Sequence, residues 1–159
     1  MNYYNEISKG YEDLYGQEQL EKARFLSESH EFNEMDEILD VGSGTGSYLK
    51  IIKGKKTCID PSEKLLGRNP YKKTVGKAEA LPFKDKSFDY CISLTAVQNF
   101  DDVEKGIKEM ARVARRRIFV STMERSKSTE KIESALKRLE LKHNKKRFKK
   151  EVFYFIEPG

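Results

Sequence analysis

A short glycine-rich stretch constrains the fold of this chain more than any other part of its sequence. An apolar run, Glu37 to Val41, predicts a buried strand, and a helix is predicted to begin near Ser47. Between them stand Gly42, Gly44 and Gly46, so the backbone can turn sharply and a ligand can approach it closely. The free N–H groups of such a loop suit an electron-rich or anionic ligand group. The pattern therefore predicts a ligand site beyond the carboxyl end of the first strand of an open α/β sheet.

The spacing of the glycines narrows the class of ligand. A dinucleotide-binding fingerprint has the form G-x-G-x-x-G, whereas this loop has G-x-G-x-G, with Ser47 where the third glycine of the fingerprint would stand. Asp40 lies two residues before the loop. A carboxylate there repels a pyrophosphate but can accept hydrogen bonds from a cationic or amino-bearing ligand. Both features disfavour a nicotinamide-dependent oxidoreductase, which is the first alternative reading of the loop.

The string from Leu39 to Gly46, LDVGSGTG, resembles the first motif of the class I S-adenosylmethionine-dependent methyltransferases, [LV]-D-[VI]-G-[CS]-G-T-G. The chain looks in particular like the small type 11, UbiE-like members. S-adenosylmethionine carries an ammonium and a sulfonium and no phosphate, which agrees with an acid at the strand end. The resemblance implies this molecule as cofactor. It assigns five residues of the motif to cofactor binding, namely Asp40, Gly42, Ser43, Gly44 and Gly46.

A second acid ends the second predicted strand, which runs from Lys56 to Ile59. At the tip of that strand, beside the glycine loop, the carboxylate of Asp60 can take both hydroxyls of a ribose. Nicotinamide enzymes and methyltransferases both use such an acid, so Asp60 predicts a nucleoside without choosing between them. The resemblance adds the next residue, Pro61, to the same site.

Residues 74–89 form a second string, which resembles the methyltransferase stretch G-D-A-E-x-L-P-F-x-D-x-S-F-D. In that family the loop after the third strand binds the adenine. The chain departs from the pattern at Lys77, where the family usually has an Asp that accepts from the adenine amino group, and Glu79 or a backbone carbonyl is the expected substitute. The resemblance assigns five more residues to cofactor binding, here and at the end of the next strand: Ala78, Glu79, Ala80, Leu94 and Thr95.

No catalytic base is predicted. Gln98 and Asn99 stand where family members often have two histidines, near the point to which the methyl group would be directed. Their side chains can orient a substrate, but neither is a useful general base near pH 7. The implied reaction is an in-line attack of a substrate nucleophile on an already activated methyl group, to which the protein contributes orientation and a dry site. A non-catalytic scaffold or RNA-binding subunit is the second alternative.

Apolar and aromatic residues recur at steps of three and four over residues 2–29, which predicts amphipathic helices with breaks at Gly10 and Gly16. The pattern is similar to the N-terminal cover helix of many methyltransferases, whose aromatic residues help to close the cofactor site. Carried over, Tyr11 is assigned to cofactor binding, ahead of Tyr3. Alternatively, these tyrosines only pack the helix against the sheet.

The alternation of strands and helices predicts an α/β fold, a three-layer, doubly wound, mostly parallel sheet of the methyltransferase type. A final strand over residues 151–156 is expected to be antiparallel, as the second arm of a hairpin that begins near Lys142. The length suits a single domain over residues 1–159. Its parts are a helical cover (1–30), a cofactor-binding core (37–122) and a C-terminal helix and strand (123–159).

The net charge of +5 is unevenly distributed. Residues 1–40 contain eleven acids and three Lys or Arg, whereas residues 115–150 contain fourteen Lys or Arg and four acids. The basic stretch 142–150 is either a footprint for RNA phosphates or an edge strand whose lysines prevent aggregation. Abundant Lys and Glu are also typical of proteins from hot environments. RNA or protein is expected as the methyl acceptor ahead of a small molecule, with an activating partner subunit as a further expectation.

No apolar run is long enough to span a bilayer, and the N-terminus lacks the order of a signal peptide. A cytoplasmic protein without membrane contacts is therefore expected. The two cysteines, Cys58 and Cys91, do not form a C-x-x-C pair and there are only two histidines, so no metal site is predicted.

Overall fold

The computed structural model describes the backbone of residues 2–159 and the side chains of residues 14–159. In chain order the helices and strands are α1 (Asn2–Ser29), β1 (Glu37–Val41), β2 (Lys55–Asp60), α2 (Glu63–Leu66), β3 (Lys72–Val75), β4 (Phe88–Leu94), α3 (Val103–Val113), β5 (Ala114–Met123), α4 (Lys127–Arg138), β6 (His143–Phe148) and β7 (Glu151–Ile156). Three short 3-10 helices lie at Ser47–Ile51, Ala78–Ala80 and Val97–Asn99.

The seven strands form one sheet in the order β3-β2-β1-β4-β5-β7-β6. The first five strands in that order are parallel, and β7 is antiparallel to both of its neighbours. The predicted doubly wound, mostly parallel sheet with an antiparallel C-terminal hairpin is thus confirmed. The strand order reverses between β1 and β4, and in such sheets ligands bind beyond the carboxyl ends of the strands at that point.

Two apolar clusters cover the two faces of the sheet. The cluster under α3 and α4 includes Leu39, Cys91 and Ile118. The cluster under α1 and the first 3-10 helix includes Cys58 and Phe119. Strands that are buried on both faces read as nearly continuous apolar runs, which is why β1 and β4 could be recognised in the sequence. Both cysteines are buried core residues, as expected.

The backbone of α1 passes through Gly10 and Gly16 without a break, contrary to the expected interruptions. A glycine inside a helix costs about 1 kcal/mol relative to alanine, which weakens a helix without ending it. The C-terminal half of α1 is anchored on the sheet by Ala23 and Leu26, both fully buried. This packing stabilises the helical conformation beyond Gly16.

Two short elements also differ from expectation. The segment after the glycine loop is a 3-10 helix of five residues, Ser47–Ile51. The sequence predicts a short helix after β2 with Leu65 and Leu66 both facing inward, whereas in α2 Leu66 is buried and Leu65 is 44% exposed. One turn of helix cannot direct two adjacent side chains to the same face. Across the backbone that the structure describes, no helix combines the length and apolar character needed to cross a membrane.

Candidate functional site

A cleft with two adjoining lobes lies beyond the carboxyl ends of β1, β2 and β4. The first lobe, of about 360 Å³, lies between the glycine loop and α1. The second lobe, of about 450 Å³, lies between the start of α2 and the segment after β3. Both lobes are lined by Gly42, Asp60, Leu65, Ala96 and Asn99. Because they share these walls, the lobes form one continuous cleft whose size is typical of a small-molecule site.

The glycine loop requires its glycines for two separate reasons. Gly42 and Gly46 have φ values of 78° and 66°, in the left-handed region that side chains disfavour. A Cβ on Gly42 would also lie 2.5 Å from the Cβ of Ala96, and one on Gly46 would lie 2.7 Å from Nδ2 of Asn69. The loop therefore lies closer to its neighbours than any side chain would allow.

Asp60 joins the two lobes. Its Oδ2 accepts a hydrogen bond from the backbone N–H of Gly44 (3.0 Å), and its Oδ1 accepts one from the N–H of Ser62 (2.8 Å). An ionised carboxylate has about four acceptor positions. Two bonds from the backbone thus fix the carboxylate and leave it capacity to accept from hydroxyl groups in the cleft.

Asp40 lies beneath the glycine loop and not in the wall of either lobe. It is fully buried, and its Oδ2 accepts a hydrogen bond from the hydroxyl of Tyr48, which itself lines the first lobe. Burial raises the pKa of Asp40 to about 7, against the opposing effect of the Tyr48 hydrogen bond. Asp40 therefore adjoins the first lobe through Tyr48 and not through its own side chain.

Three buried polar atoms at this end of the cleft have no hydrogen-bond partner among residues 14–159, whose side chains are described. They are Oδ1 of Asp40, Oγ of Ser43 and Oε1 of Gln19. Ser43 and Gln19 both line the first lobe. Because an unpaired buried polar atom is unfavourable and uncommon, the first lobe is suited to a ligand with hydrogen-bonding groups.

The second lobe is lined by Pro61, Ala78 and Glu79. Oε2 of Glu79 accepts from the backbone N–H of Asp102, the residue that caps α3, and this bond of 2.9 Å fixes the wall to that helix. Lys77, the departure from the family pattern, forms an exposed ion pair of 2.8 Å with Asp101. Both charged residues also line the lobe.

Thr95, which follows β4, is held in an unusual conformation. Its φ is 52°, a value that is rare for a β-branched residue. Its N–H donates to the carbonyl of Ser121 (3.0 Å), and its Oγ1 accepts from Nζ of Lys22 (2.8 Å) and donates to Oε2 of Glu151 (3.0 Å). Nζ of Lys22 also lies 3.4 Å from Oε1 of Glu151, so these two residues form an ion pair. Strained backbone of this kind persists only where its surroundings determine it, and it is concentrated at functional sites.

Of the thirteen residues predicted to bind a cofactor, nine lie in the walls of the cleft: Gly42, Ser43, Gly44, Asp60, Pro61, Ala78, Glu79, Leu94 and Thr95. Asp40, Gly46 and Ala80 lie outside the walls. Ala80 is exposed, because the short 3-10 helix directs Ala78 inward instead. The side chains of Tyr11 and Tyr3 fall outside the described residues.

Sequence reasoning missed several residues of the site. Tyr15, Leu65 and Arg68 line the first lobe. Tyr15 lies four residues after Tyr11, on the same face of a helix, so its position could have been inferred from the aromatic pattern. Glu151 was signalled by its place at the head of an otherwise apolar strand, EVFYFI.

A family model described as a methyltransferase domain matches residues 39–119. This span is just over half of the chain, and it includes the glycine loop, Asp60, the second motif and β4. The chain belongs to this methyltransferase family.

Two curated relatives show the extent of the likeness. The MJ1252 protein of Methanocaldococcus jannaschii is 33% identical over 115 residues, which are 70% of this chain and 45% of the relative. The ubiquinone/menaquinone biosynthesis C-methyltransferase UbiE of Rickettsia bellii is 34% identical over 119 residues, which are 62% of this chain and 47% of the relative. The methyltransferase domain thus spans about half the length of the curated relatives that it matches.

Solved structures show the same fold at low sequence identity. The mmp1179 protein of Methanococcus maripaludis matches with a TM-score of 0.81 and 13% identity, over 98% of this chain and 90% of its own. A chain of the complex between the Haloferax volcanii Trm112 methyltransferase activator and a methyltransferase matches with a TM-score of 0.71 and 14% identity. The match covers 92% of this chain and 95% of that one. The sheet order and these likenesses identify the class I methyltransferase fold.

The described side chains, those of residues 14–159, form no candidate metal centre. No group of three or more His, Cys, Asp or Glu there is placed to hold an ion. The polar groups around the cleft instead suit an organic ligand with hydroxyl and amino groups.

Proposed function

We propose that the two-lobed cleft binds S-adenosylmethionine and that the protein transfers its methyl group to an acceptor that enters beside Thr95. The observation that carries this proposal is the carboxylate of Asp60, which is fixed by two backbone N–H groups and lines both lobes. A carboxylate held in this way at the switch point of the sheet suits the two hydroxyls of a ribose. A nucleoside bound at Asp60 would have one lobe of the cleft on each side.

The other walls fit the two ends of the same cofactor. Ala78 and Glu79 would hold the adenine in the second lobe. Ser43 and Gln19, each with an unpaired buried oxygen, would hold the amino-acid end in the first lobe. Asp40 would act on that end through Tyr48. A site with acceptors and no described phosphate-binding cation in the glycine loop favours this cofactor over a dinucleotide.

S-adenosylmethionine, when bound, supplies a methyl group that is already electrophilic. The protein then has to bind, orient and exclude water. Thr95 provides a fixed wall at the end of β4, because its backbone and hydroxyl are held by Ser121, Lys22 and Glu151. The α1 helix covers the first lobe with Tyr15 and Gln19.

The acceptor is proposed to be part of a macromolecule, RNA or protein. At the mouth of the first lobe, Tyr15 and Leu65 are 49% and 44% exposed, so apolar side chains surround an open entrance. Such a rim suits a large acceptor or a partner subunit that completes the site. The likeness to the chain in the Trm112 complex supports a partner. We place this protein in the cytoplasm.

Calorimetric titration with S-adenosylmethionine, and in parallel with NADH, tests the cofactor. We expect the first to bind and the second not to bind. Asp60→Ala is expected to abolish binding, whereas Asp85→Ala, which removes an exposed acid paired with Arg112 away from the cleft, is expected to leave it unchanged. Binding of NADH, or failure of folded wild-type protein to bind S-adenosylmethionine, would overturn the proposal.

Turnover separates an enzyme from a non-catalytic scaffold. Methyl-labelled S-adenosylmethionine is incubated with protein and either total RNA or total protein, and the label in each macromolecular fraction is counted. Label in one fraction that is lost with Asp60→Ala supports transfer. Cofactor binding without label in the RNA, protein or small-molecule fraction, with and without added partner proteins, would favour the scaffold.

A further inference from the structure

The free positive charge of this protein lies elsewhere than its sequence suggested. In the C-terminal hairpin of β6 and β7, Lys145, Arg147 and Lys149 are paired with the acids Glu133, Glu124 and Glu21, respectively. The ammonium of Lys146 lies 5.2 Å from the centre of the Phe155 ring. Three of the six cations in the basic stretch 142–150 are therefore engaged in ion pairs within the protein.

A second basic region shows no such pairing. Between residues 50 and 73 the sequence has two acids, Asp60 and Glu63, of which Asp60 is buried. The same interval has eight cations: Lys50, Lys53, Lys55, Lys56, Lys64, Arg68, Lys72 and Lys73. None of the eight forms an ion pair with a described side chain. With eight cations and two acids, this interval has a formal charge of +6, against +5 for the whole chain.

Several of these cations share one face of the sheet. β3 is the edge strand, and its Lys73 is in register with Cys58 of β2. Alternate residues of a strand face the same side, so Lys56 lies on the same face as Cys58 and Lys73. Tyr71 lies there as well, because the ammonium of Lys56 is 5.6 Å from the centre of its ring. We name this surface the edge face and define it by Lys56, Arg68, Tyr71 and Lys73, together with exposed Lys53, which lies two residues before the start of β2.

The edge face leads directly to the cleft. Nζ of Lys73 donates to the carbonyl of Asn69 (2.6 Å), and Nδ2 of Asn69 donates to the carbonyl of Gly44 in the glycine loop (3.1 Å). Arg68 lines the first lobe. Asp60 lies four residues after Lys56 along β2, which corresponds to about 13 Å. Positive charge thus extends from the wall of the cleft along the outer part of the sheet.

We propose that the edge face binds the sugar–phosphate backbone of single-stranded RNA and so presents that RNA to the cleft. Uncompensated lysines attract any polyanion, but partly exposed Tyr71 among them adds a surface on which a base can stack. This combination favours single-stranded nucleic acid over an acidic peptide. The binding step stands on the edge face alone, whereas the role of RNA as methyl acceptor rests on the proposed function.

Fluorescence anisotropy with a labelled 20-nucleotide RNA of mixed sequence tests the proposal at several salt concentrations. The edge-face variant combines Lys53→Gln, Lys56→Gln and Lys73→Gln. The matched control makes the same change in net charge on the hairpin, with Lys145→Gln, Arg147→Gln and Lys149→Gln. We expect the edge-face variant to bind at least tenfold more weakly at low salt, with a salt slope reduced by about two. The control is expected to stay within about twofold of the wild type.

Two further measurements identify the partner and the cause of any loss. A labelled polyglutamate peptide of similar charge should bind at least tenfold more weakly than the RNA, and Tyr71→Ala should weaken only RNA binding. S-adenosylmethionine titration of the edge-face variant should match the wild type, which shows that the cleft is intact. Equal losses in both triple variants, no RNA binding at low salt, or equal binding of polyglutamate would each overturn the proposal, even where cofactor binding succeeds.

Discussion

At the scale of single residues, Asp40 links the site to the stability of the fold. Burial raises its pKa to about 7 from an ordinary value near 4. Between those two values the unfolded chain has lost the proton that the folded chain still holds. The contribution of Asp40 to the unfolding free energy is therefore fully present below pH 4. It falls as pH rises toward 7, by at most about 1.4 kcal/mol per pH unit.

Asp40→Asn is expected to remove this contribution, because the amide does not ionise. Urea unfolding of wild type and variant from pH 4.5 to 7.5 measures it: the wild type should lose stability relative to the variant as pH rises. Asp85→Asn, at an exposed acid, provides the control and should follow the wild-type profile. Parallel profiles for wild type and Asp40→Asn would contradict the assigned pKa.

Gly42 is the residue at which the loop tolerates least change. Gly42→Ala brings its Cβ to 2.5 Å from Ala96 and forces a side chain to φ 78°. We expect a loss of about 1–3 kcal/mol in unfolding free energy and weaker S-adenosylmethionine binding by calorimetry. Adding Ala96→Gly should recover part of the stability, because it removes the contact but not the φ strain. At Gly16 an added Cβ would have no described atom within 4 Å other than those of its own helix backbone and chain neighbours. Gly16→Ala should therefore leave the unfolding free energy unchanged or raise it.

At the scale of elements, α1 is attached to the C-terminal hairpin as well as to the sheet. The ring of Phe25 in α1 stacks on Phe148 of β6 and contacts Phe153 of β7, with both centroid distances 4.8 Å. The buried Lys22–Glu151 pair joins the same elements. Since Tyr15 and Gln19 of α1 line the first lobe, the packing of the hairpin determines how firmly the helix covers the cleft.

Phe25→Ala is expected to loosen α1 and to destabilise the fold by about 2 kcal/mol, less than a fully buried Phe because Phe25 is partly exposed. Hydrogen exchange should rise across residues 14–29, and S-adenosylmethionine affinity should fall. Phe83→Ala removes a partly buried ring that packs on Phe88 in the opposite cluster. This control should lower stability without raising exchange in α1, and equal exchange in both variants would refute the coupling.

The elements that the sequence predicted well are those determined by local pattern. The apolar runs of β1 and β4 and the hairpin near Lys142 were recognisable because their residue patterns match their burial. The continuous α1 and the exposed Leu65 were predicted wrongly. In both cases the outcome depends on packing against distant segments or on element length, which residue spacing does not specify.

At the scale of the whole molecule, the cleft combines segments that are far apart in the chain. The motifs located Asp60 and the glycine loop, since those groups follow strands directly. They did not locate Lys22 and Glu151, which meet at Thr95 from 73 residues before it and 56 residues after it. Such contacts arise only when α1, β4 and β7 are brought together, so the sequence could place the part of the cleft around Asp60 better than the part around Thr95.

Ligand binding to this shared cleft should stabilise the molecule as a unit. A ligand at one hundred times its Kd adds about 2.7 kcal/mol to the unfolding free energy, which raises Tm by roughly 5–10 °C for a chain of this size. Scanning calorimetry with S-adenosylhomocysteine should show that shift in the wild type. The edge-face variant should show the same shift, because its cleft is unchanged, whereas Asp60→Ala should show none.

Single-stranded RNA at one hundred times its wild-type Kd should raise Tm in the wild type and in the hairpin control. In the edge-face variant, whose affinity is at least tenfold lower, the same RNA concentration should give about half that shift or less. The two ligands together should give a shift near the sum of the separate ones if the two surfaces bind independently. A wild-type Tm unmoved by S-adenosylhomocysteine would show that the protein does not bind this ligand and would contradict the proposed cofactor. An undiminished shift with RNA in the edge-face variant would place the RNA on another surface.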